Sequence, residues 1–368
     1  MQALLALPYN LICFTFVIKA FFVYPIVRYS SRRHRFKYDT PTRLMSEDEE
    51  TSSWCCISCC ASCGIAAVDD IELKECDGCD LVKYCGDACQ QIHKSEHEEE
   101  CKQRAAELRD ELLFKQLESS HMGDCPICMI PLPIDIAKST MMLCCSKTIC
   151  MGCAVANVIR ENTQSLAHSC PFCRKPAVNT DEEREKMSMK RIEANDPAAM
   201  CHQGGIQYKK GDHHKAFDYY TMAAALGDAE AHYNLAVLYQ VGHGVEKDMG
   251  KEMFHWEKAA IRGHPFARYE LGAIEWSNGN MERAVKHLVI AAAQGHDRSI
   301  KALMEAFKQG AVEKEDLAAA LRAHHAAVDA TKSPRRKEAE EVDRRALANR
   351  QRAKEFEGAP SNQRRNGK

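Results

Sequence analysis

The chain has 368 residues, 45% of them apolar and 28% charged, with a net charge of −2 and 20 cysteines. Two or three domains of roughly 100–200 residues fit that length, and the composition excludes wholesale disorder, collagen and a polytopic membrane protein. The near-neutral balance gives no whole-chain case for a nucleic-acid partner.

Residues 1–44 are apolar, then basic. Ala3 to Val27 is long enough to span a bilayer, and Arg28, Arg32, Arg33, Arg35 and Lys37 would keep the rest of the chain on the cytosolic side. Lys19 stands in mid-span, and Met45-Ser-Glu-Asp-Glu-Glu also reads as a natural amino terminus, so a membrane anchor through residues 3–27 and a spurious start are both open. Residues 45–59 form an acidic, then cysteine-rich linker.

All cysteines except Cys13 and Cys201 lie between Cys55 and Cys173. Such density means either a disulfide scaffold or metal sites. Recurrent C-x-x-C pairs, with His97 at ligand distance from Cys101, favour Zn²⁺ in a reducing, cytoplasmic compartment.

Residues 60–101 read Cys60-x2-Cys63-x12-Cys76-x2-Cys79-x5-Cys85-x3-Cys89-x7-His97-x3-Cys101. Eight ligands suffice for two tetrahedral ions, and the last four are paired on helical faces. Alternation of pairs assigns Cys60, Cys63, Cys85 and Cys89 to one ion, and Cys76, Cys79, His97 and Cys101 to the other. Cys56-x2-Cys59 could replace the first pair, and His93 reads as a surface histidine or one packed behind a ligand. No coordination position is left open, so the ions are expected to be structural. Leu73-Lys74-x-Cys76, Tyr84-Cys85, Cys89-Gln90 and His97-x3-Cys101 resemble the MYND zinc finger. The resemblance implies a module that takes short, often proline-containing peptides. Lys94 stands where the family usually has tryptophan, a departure that bears on the peptide groove and not on the zinc.

Within residues 102–124, Ala105, Leu108, Leu112 and Leu113 recur at helical spacing and predict an amphipathic connecting helix.

Residues 125–176 read Cys125-x2-Cys128-x15-Cys144-Cys145-x4-Cys150-x2-Cys153-x16-Cys170-x2-Cys173. Eight cysteines again suit two closed sites. Cys-Pro-Ile-Cys at 125–128, Ile149-Cys150-x2-Cys153 and Cys170-Pro-Phe-Cys-Arg at 170–174 resemble an all-cysteine RING finger. The resemblance implies a cross-brace, with Cys125, Cys128, Cys150 and Cys153 on one ion and Cys144, Cys145, Cys170 and Cys173 on the other. Adjacent ligands at 144–145 depart from the usual pattern, and His168 could replace one of them. The resemblance further implies docking of a ubiquitin-conjugating enzyme charged with ubiquitin. Ile127 and Pro171 match the docking residues, and Arg174 matches the cation that bridges enzyme and ubiquitin. Asn157 stands where a docking aromatic is often found.

Residues 180–330 are helical and repetitive. Thr180-x-x-Glu183 predicts a capped helix start. Units begin at Asp196, Asp228, His264 and His296, and the first three end on a run of small residues before glycine. Tyr220, Trp256 and Leu288 occupy one equivalent position, and Cys201 reads as a buried apolar residue. The period predicts a helix-pair solenoid. Leu238-Tyr-Gln-Val-Gly-His-Gly-Val-Glu-Lys-Asp248 resembles the Sel-one-like repeat, a relative of the tetratricopeptide repeat, which implies a protein-binding surface. Residues 331–368, rich in Lys and Arg, read as frayed helix followed by a disordered tail.

The expected fold class is therefore two small α+β zinc-stabilised domains, MYND-like and then RING-like, followed by an α-helical solenoid. Four zinc ions are expected, two in each finger. The leading functional expectation is a RING-type ubiquitin-protein ligase that selects protein or peptide substrates through its finger and repeat surfaces. The alternative is a non-catalytic zinc-finger scaffold. A SET-domain methyltransferase is disfavoured, because the motif words of that domain are missing and helices occupy 180–330. No His-Glu-x-x-His word suggests a zinc hydrolase.

Overall fold

A computed structural model describes residues 60–63, 73–116, 120–178 and 180–358. Segment 1–44 and the alternative ligand pair Cys56/Cys59 lie outside them. Among the described residues no helix is long and apolar enough to cross a membrane. The chain divides into two compact units between Glu111 and Leu112.

In the first unit, a two-residue antiparallel ribbon pairs β1 (Lys74–Glu75) with β2 (Lys83–Tyr84). Helix α1 (Asp87–Phe114) comes next, and its residues from Leu112 onward belong to the second unit. The sequence divides this stretch into a finger and a connecting helix, whereas the structure makes them one element. No Gly or Pro interrupts residues 87–114, so nothing ends the helix after Cys101. The core is mostly sulfur: Cys60, Cys79, His97 and Tyr84 are buried, with no large aliphatic cluster around them among the described residues. Arg104 clamps the loop after Cys79 to α1 with a fork onto Asp80 (2.7 and 2.9 Å). It holds the Asp80 carboxyl below the usual carboxylate range.

The second unit begins with residues 120–178. There β3 (Ser139–Met142) pairs antiparallel with β4 (Lys147–Cys150), in the register Ser139↔Cys150. Helix α2 (Met151–Thr163) continues directly from β4. Ile149, Leu132 and the cysteines 125, 150 and 153 form the small core.

Helix α3 (Asp181–Glu193) starts at Thr180, whose hydroxyl accepts from the Glu183 amide. Four helix pairs succeed it: α4 (Pro197–Lys209) with α5 (His213–Ala225), α6 (Ala229–Val241) with α7 (Met249–Ile261), α8 (Pro265–Ser277) with α9 (Met281–Ala293), and α10 (Asp297–Lys308) with α11 (Lys314–Ala330). The expected units at 196, 228, 264 and 296 are these pairs. Side chains of Asp196, Asp228 and His264 cap the first helix of their units. Small residues let the helices approach: a Cβ on Gly204 would lie 2.7 Å from the Tyr220 ring. Tyr220, Trp256 and Leu288 are buried at equivalent depths, and Cys201 is buried among apolar residues. The chain forms a helical solenoid over these residues.

The segment read as a charged tail starts as helix α12 (Pro334–Gly358), whose first turns pack on α2. Arg336 and Ala339 are buried there.

Candidate metal centres

Local chain geometry builds four clusters. Four of the C-x-x-C pairs sit on tight turns and the fifth, Cys150 and Cys153, at the start of α2. His97 and Cys101 share one face of α1, while Cys85 just precedes that helix and Cys89 lies in its first turn. In the first unit, Cys60, Cys63, Cys85 and Cys89 gather, as do Cys76, Cys79, His97 and Cys101. In residues 125–176, Cys125, Cys128, Cys150 and Cys153 gather, as do Cys144, Cys145, Cys170 and Cys173. Within each group the candidate ligand atoms lie within 4.8 Å of one another. All sixteen ligand candidates named from the sequence are placed in these groups, in the expected pairings.

The donor set fits zinc. A Zn–S bond of about 2.3 Å implies a tetrahedral edge of roughly 3.8 Å. The close sulfur pairs run from Cys144–Cys173 at 3.3 Å, through Cys63–Cys85 and Cys85–Cys89 at 3.6 Å, Cys76–Cys101 at 3.7 Å and Cys128–Cys150 at 3.8 Å, to Cys145–Cys170 at 4.0 Å. The cysteines of the clusters are free thiols. His97 presents Nε2 to the Cys79 sulfur at 3.1 Å. His93 lies outside this shell: it stacks on His97 and bonds the Tyr84 hydroxyl at 3.0 Å.

Backbone amides prepare the thiolates. Burial opposes ionisation of Cys60, but the amides of Cys63, Cys85 and Ser62 outweigh it and bring the thiol down to about 6. Burial likewise opposes ionisation of Cys125, and the amides of Cys150, Cys128 and Ile127 bring it down to about 7. Crowding works the other way on their neighbours. Hydrogen bonding with Cys89 and Cys63 pushes Cys85 up to about 12. Four sulfurs in one place cannot all ionise without a cation among them.

Two loops in the second module share one backbone pattern. The Met129 amide bonds Cys125 O, and the Cys125 amide bonds Ile130 O. The Arg174 amide bonds Cys170 O, and the Cys170 amide bonds Lys175 O. Met129 and Arg174 close the two loops at positive φ (55° and 61°). Ile127 is 36% exposed, Pro171 is half-buried, and Phe172 and Arg174 are exposed. Asn157 donates to Ser169 O at 3.2 Å. His168 sits apart from the cysteines, on the buried Glu161 carboxylate at 3.0 Å.

A fifth group, His121, Glu230 and His264, could by proximity hold a cation. Hydrogen bonding argues otherwise. The Ala267 amide donates to His264 Nδ1 at 3.2 Å, so Nε2 carries the ring proton and donates to Glu230 at 3.1 Å. That nitrogen has no lone pair for a metal. Burial opposes ionisation of Glu230, yet the two imidazoles outweigh it and hold the carboxyl well below its usual range. No spacing in the sequence marks this group, because His121 joins the repeats only through the fold.

Comparisons with known proteins match two parts of the chain. Residues 60–101 match the MYND finger family. Residues 198–228, 229–264 and 265–296 match the Sel1 repeat. The first unit carries a MYND finger. The solenoid carries three Sel1 repeats. Residues 125–176 lie outside both matches. Among solved structures, a Sel1 repeat protein from Oxalobacter formigenes is 24% identical, with 47% of this chain and 70% of that chain covered, at a TM-score of 0.36. The c5321 protective antigen present in uropathogenic Escherichia coli strains, which displays an SLR fold, is 17% identical, with 52% of this chain and 40% of that chain covered, at a TM-score of 0.32. The α10/α11 pair continues the solenoid past the matched Sel1 repeats.

Proposed function

We propose that the chain is a zinc-stabilised interaction scaffold, in which the MYND finger and the Sel1 solenoid hold different protein partners. The observation that carries this reading is the closed character of the sites: every cysteine cluster offers four protein ligands and keeps no position for substrate. Zinc here shapes a surface. Four ions, two in the MYND finger and two in residues 125–176, complete the reading. The test uses the full chain with two variants, Cys79→Ser in the finger and Leu235→Asp in the solenoid core. Each variant should lose a different set of cross-linked partners, and the wild type should hold members of both sets at once. Loss of one identical set by both variants would contradict the scaffold.

A second reading, a RING-type ubiquitin ligase, is favoured by the interleaving of ligand pairs in residues 125–176 and by the exposure of Ile127 and Phe172. In this reading Ile127 and Pro171 dock the conjugating enzyme, and Arg174 holds ubiquitin. Catalysis would be orientational, with the ligase holding the thioester ready for attack. Auto-ubiquitination against a panel of conjugating enzymes separates the readings. Chains that form with wild type and vanish with Ile127→Ala establish the ligase; no chains with any enzyme leave the scaffold.

A further inference from the structure

Arg336 lies at the start of α12, where a cation is ordinarily unfavourable because the helix end is itself positive. It is nevertheless buried, at 7% exposure. Its guanidinium folds back and donates to Pro131 O at 2.6 Å, Ile130 O at 3.0 Å and Thr331 O at 2.7 Å. It also donates to the Cys128 sulfur at 3.7 Å. None of these four acceptors is a carboxylate. A buried cation needs a counter-charge, and four thiolates around Zn²⁺ supply a net negative one.

We propose that α12, through Arg336, is an outer-sphere part of the Cys125/Cys128/Cys150/Cys153 metal site. The helix holds the loop that carries Cys125 and Cys128, and the loaded site in turn holds the helix. Three further contacts support the docking. A Cβ on Gly152 would lie 2.8 Å from the Arg336 amide nitrogen, so the helix start lies directly against α2. Ala339, one turn on, is 1% exposed. Lys138 pairs with Glu340 at 2.9 Å. Coupling of this kind is reciprocal: whatever strengthens metal binding strengthens docking by the same factor.

The inference rests on metal occupancy of this cluster, which elemental analysis of the wild-type chain reads separately. If the wild type holds no metal there, the zinc reading itself fails. With metal bound, two measurements on the full chain decide the inference: zinc transfer to a chromogenic chelator, and amide exchange over residues 334–348. Arg336→Ala should accelerate release of one ion about 10-fold, in line with outer-sphere losses elsewhere. Arg336→Lys should recover little, since an ammonium cannot fork across these acceptors. Gly152→Val should push the helix off through the Arg335 and Arg336 backbone while leaving the Arg336 guanidinium and the four ligand side chains unaltered, and should accelerate the same release. It also serves if Arg336→Ala does not fold. Stripping the metal should expose amides 334–348. Wild-type release rates in a variant whose helix is free would overturn the inference. So would amide protection that survives both metal removal and Gly152→Val.

Discussion

The buried guanidinium of Arg268 donates to the carbonyl of Leu113, 155 residues earlier in the chain. It reaches Lys115 O as well, at 3.4 Å. The Leu113 carbonyl belongs to the C-terminal end of α1, where backbone acceptors are left without helical partners, and Lys115 directly follows that helix. The Leu113 side chain is fully buried among Trp256, Ala236, Ala259 and Leu271. The last turn of α1 is therefore a component of the solenoid core.

This predicts a sharp contrast between neighbours. Leu113→Ala should destabilise the repeats by about 2–5 kcal/mol, because the pocket that holds it cannot collapse. Leu112→Ala, at a position 57% exposed, should change stability by less than about 0.5 kcal/mol. Urea unfolding followed by far-ultraviolet circular dichroism measures both.

Metal dependence should divide the cysteines by cluster. Cys79→Ser removes a buried sulfur that faces His97 and should unfold the MYND finger, whose core is too small to stand without metal. Elemental analysis of the purified variant should show fewer zinc ions per chain than wild type. Cys201→Ser should leave the zinc content unchanged, since that thiol lies among apolar residues of α4 to α6. Burial and nearby carboxylates raise the Cys201 thiol, so it should also resist alkylation in the folded chain.

Two glycines at positive φ should respond differently to alanine. At Gly279 (φ 83°) a Cβ would meet nothing within 4 Å, so Gly279→Ala should cost about 1–2 kcal/mol from backbone conformation alone. At Gly244 (φ 74°) a Cβ would lie 2.5 Å from His213 O, and that atom is backbone. Gly244→Ala should therefore cost clearly more and shift the loop between α6 and α7. Thermal unfolding of both variants ranks them.

The metal clusters were legible because their information is local. A C-x-x-C loop or an i, i+4 pair on a helix is visible from spacing, and a handful of such pairs admits few combinations. The repeats were legible for a related reason: Tyr220, Trp256 and Leu288 return at one position in successive units. The contacts that join these parts were not legible. Arg336 meets Cys128 across 208 residues and Arg268 meets Leu113 across 155, with no period to announce either. Composition misled at the tail, where a high charge count hid two buried positions, Arg336 and Ala339, on one face of α12. The boundary drawn after Cys101 had no physical stop behind it, and α1 runs through it.

Acid should weaken the repeats through paired imidazoles. The Nδ1 atoms of His232 and His255 lie 3.0 Å apart, so one ring donates and the other, unprotonated at that nitrogen, accepts. Burial, with each other's charge added for His232, brings both from 6.5 down to about 4. Burial does the same to His264 and His296. Between pH 6.5 and 4 the unfolded chain therefore binds more protons than the folded one, and stability falls as pH falls through that window. Above pH 6.5 this contribution is fully present and flat. Amide exchange of α6 and α7 should accordingly be constant from neutral pH upward, after correction for intrinsic exchange, and should show progressively less protection toward pH 4. His255→Asn removes one partner and the charge that opposes the other, so its loss of protection over the window should be shallower. An equal slope in wild type and variant would show that His264 and His296, and not this pair, govern the acid response.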